Sequence, residues 1–257
     1  MLNSTINTKS LGLKRISKIF VCSLLFVGIG CAASFAAADK APEYVELSHT
    51  VEAQMPVDPA LKLPEMEFFG KIGEAGGKHN LEVISYCPHT GTHMDSPFHV
   101  IPGATTIESW PADVLIGPAA IISVGEPGGY VVTKEDIVAW ESKNGAIQPG
   151  EAVMFHTGHD ANWEKGYDVY IKDGYPTISV EAAQYLVEKK IRFVAVESIS
   201  PEGDSTEVHQ TFLKNGIPIV ENICNLAAIG SVRCKTIGTF AAVKGATGVW
   251  VRILAVR

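Results

Sequence analysis

His89-Thr90-Gly91-Thr92-His93-Met94-Asp95-Ser96-Pro97-Phe98-His99 gathers three of the chain's eight histidines and one aspartate into eleven consecutive positions. Pro88, Gly91 and Pro97 rule out a continuous helix here, so His89 and His93 are expected to converge by loop curvature and not by the i, i+4 geometry of a helical zinc site. Neutral imidazole and carboxylate suit Zn²⁺ or Mn²⁺, and three protein ligands leave one coordination position for water. Zinc lowers the pKa of such a water to about 7, which supplies hydroxide at neutral pH for attack on a carbonyl. His99, just past the aspartate, is then free to move protons. A lone histidine near a polar turn is ordinarily a solvated surface residue; the pattern His-x3-His-x-Asp-x3-His is better explained by a metal.

Working outwards, residues 81–86 alternate as a strand, so the histidine segment follows a strand. Residues 119–124 form a buried apolar run, and 153–155 lie in a further strand bounded by Gly150 and Gly158. Thr133, followed by Glu135 and Asp136, opens a helix through residues 137–143 that stops at Asn144-Gly145. Ser179 caps a second helix, with Ala182, Ala183, Leu186 and Val187 on its apolar side and Lys189-Lys190 at its carboxyl end. Residues 192–197 read as a strand, 205–215 as a third helix closed by Gly216, 217–223 as extended chain, and 235–243 with 248–256 as a strand pair. No repeat or linker divides residues 39–257, and the mixture of periods predicts one mixed α/β (α+β) domain and not a simple parallel sheet.

Residues 1–38 stand apart. Lys9, Lys14, Arg15 and Lys18 give a basic start, residues 19–29 an apolar run, and Ala36-Ala37-Ala38 small residues before Asp39, which is the three-part pattern of an export signal. The expected location is periplasmic or secreted, without stable membrane insertion after cleavage, because the apolar run is short for a bilayer span. A lipoprotein acylated at Cys31 is the alternative, with Gly28-Ile29-Gly30 a poor match ahead of it. The formal charge is −7; without those four cations, residues 39–257 carry −11 and no basic stripe, which argues against a nucleic-acid partner. Cys87, Cys224 and Cys234 remain, and Cys224 with Cys234 either pair across a short loop or stay as buried free thiols.

Other residues carry less. His156 and His159 follow a strand and read as substrate-loop or structural residues, His49 as a hydrogen-bonded structural histidine, and His79 as solvated. The glycines of residues 70–77 lack the Ser or Thr that a Walker loop needs after Gly-Lys, and no Gly-x-Ser-x-Gly nucleophile motif occurs.

The histidine segment fits His-x-Gly-Thr-His-x-Asp-x-Pro-x-His at every fixed position. From Leu47-Ser48-His49 and Met55-Pro56 to the C-terminal strands, the chain resembles the cyclase family of metal-dependent hydrolases, which includes bacterial kynurenine formamidases and isatin hydrolases. The resemblance implies a swivelling β/β/α domain and a homodimer or homotetramer with its sites near subunit contacts. It also implies hydrolysis of a C–N bond in an aryl formamide, amide or lactam small-molecule substrate. His89, His93 and Asp95 resemble the ligands of a first metal, and His99 the catalytic acid/base. In the formamidase branch a later histidine and a glutamate twelve positions on complete a two-metal centre; His209 and Glu221 stand at that spacing, with Asp95 and Glu221 as bridges. In the isatin hydrolase branch an uncharged amide replaces the glutamate and one metal suffices, so Glu221 favours two ions, Zn²⁺ or Mn²⁺.

Two departures bear on substrate. The formamidase branch carries an early tryptophan against its aromatic substrate, and Met55-Pro-Val-Asp-Pro59 has none, which sets N-formylkynurenine in question. The family segment Gly-x-Asp-x-x-Ser appears as Val196-Glu197-Ser198-Ile199-Ser200, with a longer acid. Export suits an amide, lactam or lactone taken up from outside. An exported metal-binding protein without turnover and a cyclising or dehydrating lyase are the alternatives.

Overall fold

The computed structural model describes residues 42–125 and 127–257, so the export-signal and Cys31 readings of residues 1–38 lie outside the described residues. The chain runs β1 (Tyr44–Glu46), β2 (Glu65–Gly70), β3 (Leu81–Ser85), β4 (His93–Asp95), β5 (Gly117–Ser123), β6 (Val131–Val132) and α1 (Lys134–Asn144). It continues with β7 (Ala152–His156), β8 (Thr177–Ile178), α2 (Val180–Glu188), β9 (Val194–Val196), α3 (Glu207–Lys214), β10 (Ile219–Glu221), β11 (Arg233–Phe240) and β12 (Gly248–Val256).

Eight strands form one mixed sheet in the order β1-β12-β11-β5-β7-β9-β10-β4. Because β4 pairs with β10 and also with β12, the sheet curls into a closed, barrel-like ring that leaves β1 outside it. β5, β7, β9 and β10 are mutually parallel, while β4, β11 and β12 run antiparallel to their neighbours. Alternation along each strand feeds two cores. In β5 and β7, Ala119, Ile121, Ala152 and Met154 join Met94, Phe193, Val220 and Ile253 in one cluster. Their neighbours Ala120, Ile122, Val153 and Phe155 pack instead against Ile137, Trp140, Ala183, Leu186 and Phe212 of the three helices. A strand apolar on both faces therefore has a cover for each of them.

The helix limits follow from capping. Thr133 and Asp136 form a reciprocal box at the start of α1, the Thr133 hydroxyl accepting from the Asp136 N–H at 3.2 Å and the Asp136 carboxylate from the Thr133 N–H at 2.8 Å. Ser179 accepts from the Ala182 N–H at 3.1 Å to open α2. The third helix starts later than its sequence pattern predicts, at Glu207, and Thr206 before it makes no side-chain cap. The strand expected over residues 192–197 shortens to β9. Residues 93–95, expected in a loop, pair as a strand on both sides, because β10 and β12 each leave an edge for them.

β2 and β3 form a separate hairpin on which Met66, Phe68, Phe69, Leu81, Val83 and Ile84 are all exposed. Cys87, Cys224 and Cys234 are free thiols, so Cys224 and Cys234 are not paired. Among the described residues no helix is long and apolar enough to cross a membrane.

Candidate metal centre

On β4, Met94 points into the barrel core, so His93 and Asp95 project from the opposite face. Across the antiparallel pairing Glu221 of β10 lies opposite His93, and Gly248 of β12 opposite Asp95. His89 arrives from the turn before β4, where Gly91 adopts φ 62°, a conformation that disfavours any side chain. His209 comes from the first turn of α3. The five residues expected to be ligands thus meet at one place, with His93 and Asp95 fully buried and Glu221 and His209 nearly so.

Each of the three imidazoles has one nitrogen tied down and the other directed at a carboxylate. His89 holds the Thr247 hydroxyl through Nε2 at 2.8 Å, and its Nδ1 lies 2.9 Å from Asp95 Oδ1. His93 Nδ1 donates to the Gly91 carbonyl at 2.9 Å, and its Nε2 lies 3.5 Å from Asp95 Oδ1 and 3.2 Å from Glu221 Oε2. His209 Nδ1 contacts Glu202 Oε1 at 2.6 Å, and its Nε2 lies 3.2 Å from Glu221 Oε1 and 3.5 Å from Asp95 Oδ2. His89 Nδ1, His93 Nε2 and both Asp95 oxygens are buried yet in hydrogen-bonding alignment with nothing. Buried polar atoms left this way are costly, and a cation beside Asp95 would satisfy them. The donor set, imidazole and carboxylate, fits a divalent metal ion.

Two groups of donor atoms lie within 4.8 Å of one another: His93, Asp95 and Glu221 in one, His89, Asp95 and His99 in the other. Asp95 is common to both. His209 reaches the first group through its contacts with Asp95 and Glu221. His99 stacks on His89 with ring centroids 3.9 Å apart and opens to the cleft.

The electrostatics follow from this crowding. Burial disfavours charge on His93, yet contact with Glu221 and the charges of Glu221 and Asp95 outweigh it and raise the ring to about 9. His209 is raised well above the usual imidazole range, its burial overcome by Asp95, Glu202 and Glu221. Asp95 is held well below the carboxylate range, burial notwithstanding, by His209, His89 and His93. His99 is lowered by burial and by the neighbouring His89 and His209, against the pull of Asp95. It is therefore a neutral base at neutral pH.

The cleft beside these residues encloses about 370 Å³, with His89, His99, His209 and Glu221 on one side and Leu61, Ile171, Ile199 and Tyr175 among its other walls. The remaining histidines stand elsewhere. His159 is buried with Nε2 2.8 Å from the Tyr170 carbonyl, His156 contacts the Ser123 hydroxyl at 3.0 Å, His49 stacks on Trp163 at 3.8 Å, and His79 is exposed. Four supporting residues went unread in the sequence: Glu202, Asn222, Thr247 and Gly248. The Asn222 side-chain amide donates to the same Gly91 carbonyl that His93 uses, at 2.9 Å. Its position directly after Glu221 was the only available hint.

Comparison with known proteins bears on the family and the fold. The family model described as "Putative cyclase" matches residues 45–203. A kynurenine formamidase of Bacillus cytotoxicus is 26% identical over 187 residues, covering 72% of this chain and 83% of that protein. Isatin hydrolase A from Labrenzia aggregata, solved bound to benzyl benzoate, shares the fold with a TM-score of 0.75 at 23% identity, over 84% of this chain and 93% of its own. A solved structure described as a potential metal-dependent hydrolase with cyclase activity is 25% identical, with a TM-score of 0.69 over 84% of this chain and 98% of that one.

Proposed function

Because the chain belongs to the putative cyclase family, we propose that it is a metal-dependent hydrolase that opens the C–N bond of an aryl formamide, amide or lactam. What carries this reading is the convergence of three anchored imidazoles on Asp95 and Glu221, with four buried donor atoms left without a hydrogen-bond partner. His89, His93, Asp95, His209 and Glu221 would hold the metal. Zn²⁺ or Mn²⁺ suits them, and two ions are favoured, since Asp95 and Glu221 each turn one oxygen towards His93 and the other towards His209. When bound, such an ion polarises a carbonyl and makes water acidic.

The chain's own residues supply the rest. The apolar walls formed by Leu61, Ile171 and Ile199 accept the ring of an aryl substrate and keep water from it, while the opposite wall of histidines and Glu221 faces the scissile carbonyl. His99, neutral and open to the cleft, takes a proton from the attacking water and delivers it to the departing nitrogen. A periplasmic or secreted location, expected from residues 1–38, belongs to the same proposal. So does a homodimer or homotetramer, for which the exposed Met66, Phe68, Phe69 and Val83 of the hairpin offer apolar surface.

The test is turnover by chelator-stripped protein, before and after refilling with Zn²⁺ or Mn²⁺, over a panel of formanilides, isatins and lactones. Hydrolysis restored by the metal is expected; a refilled protein no faster than the stripped one overturns the reading.

A further inference from the structure

Glu202 is an almost fully buried carboxylate, 4% exposed, in the loop before α3. Its oxygens accept from three donors, all on that helix's first turn: the Val208 N–H at 3.0 Å, the His209 N–H at 2.8 Å and the His209 ring Nδ1 at 2.6 Å. The first two bonds replace the cap that Thr206 does not make. The third does more than a cap requires, because it fixes a side chain. Glu202 is itself held in place: its N–H donates to the Ser200 hydroxyl at 3.2 Å, and its carbonyl accepts from the Tyr175 hydroxyl at 3.1 Å.

We infer that Glu202 is the positioning residue of the centre, fixing the His209 tautomer and ring orientation so that Nε2 faces Glu221 and Asp95. An ionised carboxylate only accepts, so the proton between the pair resides on Nδ1; when the ring gives up its other proton to a cation, Nε2 is the nitrogen that would carry the lone pair. The backbone bonds from Val208 and His209 hold that carboxylate at the helix start, so the ring cannot turn without giving up its own bond to Glu202. The sequence places Glu202 seven residues before His209, outside the motif, where spacing gives no sign of it.

This inference rests on the metal reading above, and the test separates the two. Chelator-stripped wild type, Glu202→Gln, His209→Ala and the double variant are titrated with Zn²⁺ by calorimetry, with melting recorded before and after loading. Glu202→Gln is expected to weaken one equivalent by about 10–100-fold, to match His209→Ala at that equivalent, and to add nothing in the His209→Ala background. Unchanged binding in Glu202→Gln overturns the inference alone, and so does an equal loss with and without His209, which is the behaviour of a plain helix cap. If the wild type holds a single ion, the same comparison is made on that ion. Should Glu202→Gln not fold, Glu202→Asp is expected to show a smaller loss at the same equivalent, and full wild-type affinity overturns the inference. A wild type that binds no Zn²⁺ removes the metal reading and this inference together.

Discussion

Gly248 lies so close beneath His89 that a β-carbon at 248 would stand 2.8 Å from His89 Cε1 and 3.1 Å from the Met94 carbonyl oxygen. The missing side chain on β12 therefore makes room for His89: its ring takes the space that any other residue opposite Asp95 would fill. Gly248→Ala is expected to displace the ring and lower Zn²⁺ affinity by about tenfold or more. Crowding against the Met94 backbone adds about 1–3 kcal/mol of destabilisation. Wild-type affinity in calorimetric titration of this variant would refute the packing argument.

His99 touches the cleft and stacks on His89. His99→Ala should retain the wild-type metal content by elemental analysis and lose about 10²–10⁴ in kcat. A variant that loses its metal in step with its rate assigns His99 to the ligand set and not to proton transfer.

Glu221 and Asp95 together outweigh the cost of burying charge on His93 and raise its ring to about 9. An ion needs neutral rings at His93 and His209, both of which are raised, so loading at pH 7 expels protons and affinity rises with pH. Titrations in two buffers of different ionisation enthalpy should therefore give different apparent heats. Identical heats in both buffers would count against proton release.

Glu197 is raised to about 7 by burial and by the charge of Asp160. Its Oε2 accepts from the N–H groups of Thr157, Gly158 and His159 and from the Thr157 hydroxyl, while Oε1 is buried without a partner. With the folded value above the unfolded 4.5, stability is fully present below about 4.5 and declines as pH rises to about 7. Glu197→Gln keeps one acceptor oxygen and carries no charge, so its stability relative to wild type should improve between pH 5 and 8 by on the order of 1–3 kcal/mol. Denaturant midpoints that run parallel across that range would show that Glu197 does not titrate there.

The candidate donors are legible in the sequence before any fold is known. His89, His93, Asp95 and His99 sit in one short segment broken by Pro88, Gly91 and Pro97, and His209 and Glu221 follow at a spacing the resemblance made readable. Its periodicity and caps also set most strands and helices, because a strand's alternation and the Thr133 and Ser179 caps are local properties. Pairing partners are not local, and the structure alone decided that residues 93–95 are a strand joining β10 to β12 and closing the ring. Burial depends on what covers a residue, so the exposed hairpin of β2 and β3 could not be told from a half-buried strand. Orientation of the imidazoles was likewise decided only in three dimensions. Thr247, the Gly91 carbonyl and Glu202 each hold one nitrogen, and Thr247 is 158 residues away from the histidine it steadies. Residue type fixes which atoms can bind a cation; only packing fixes which way they point.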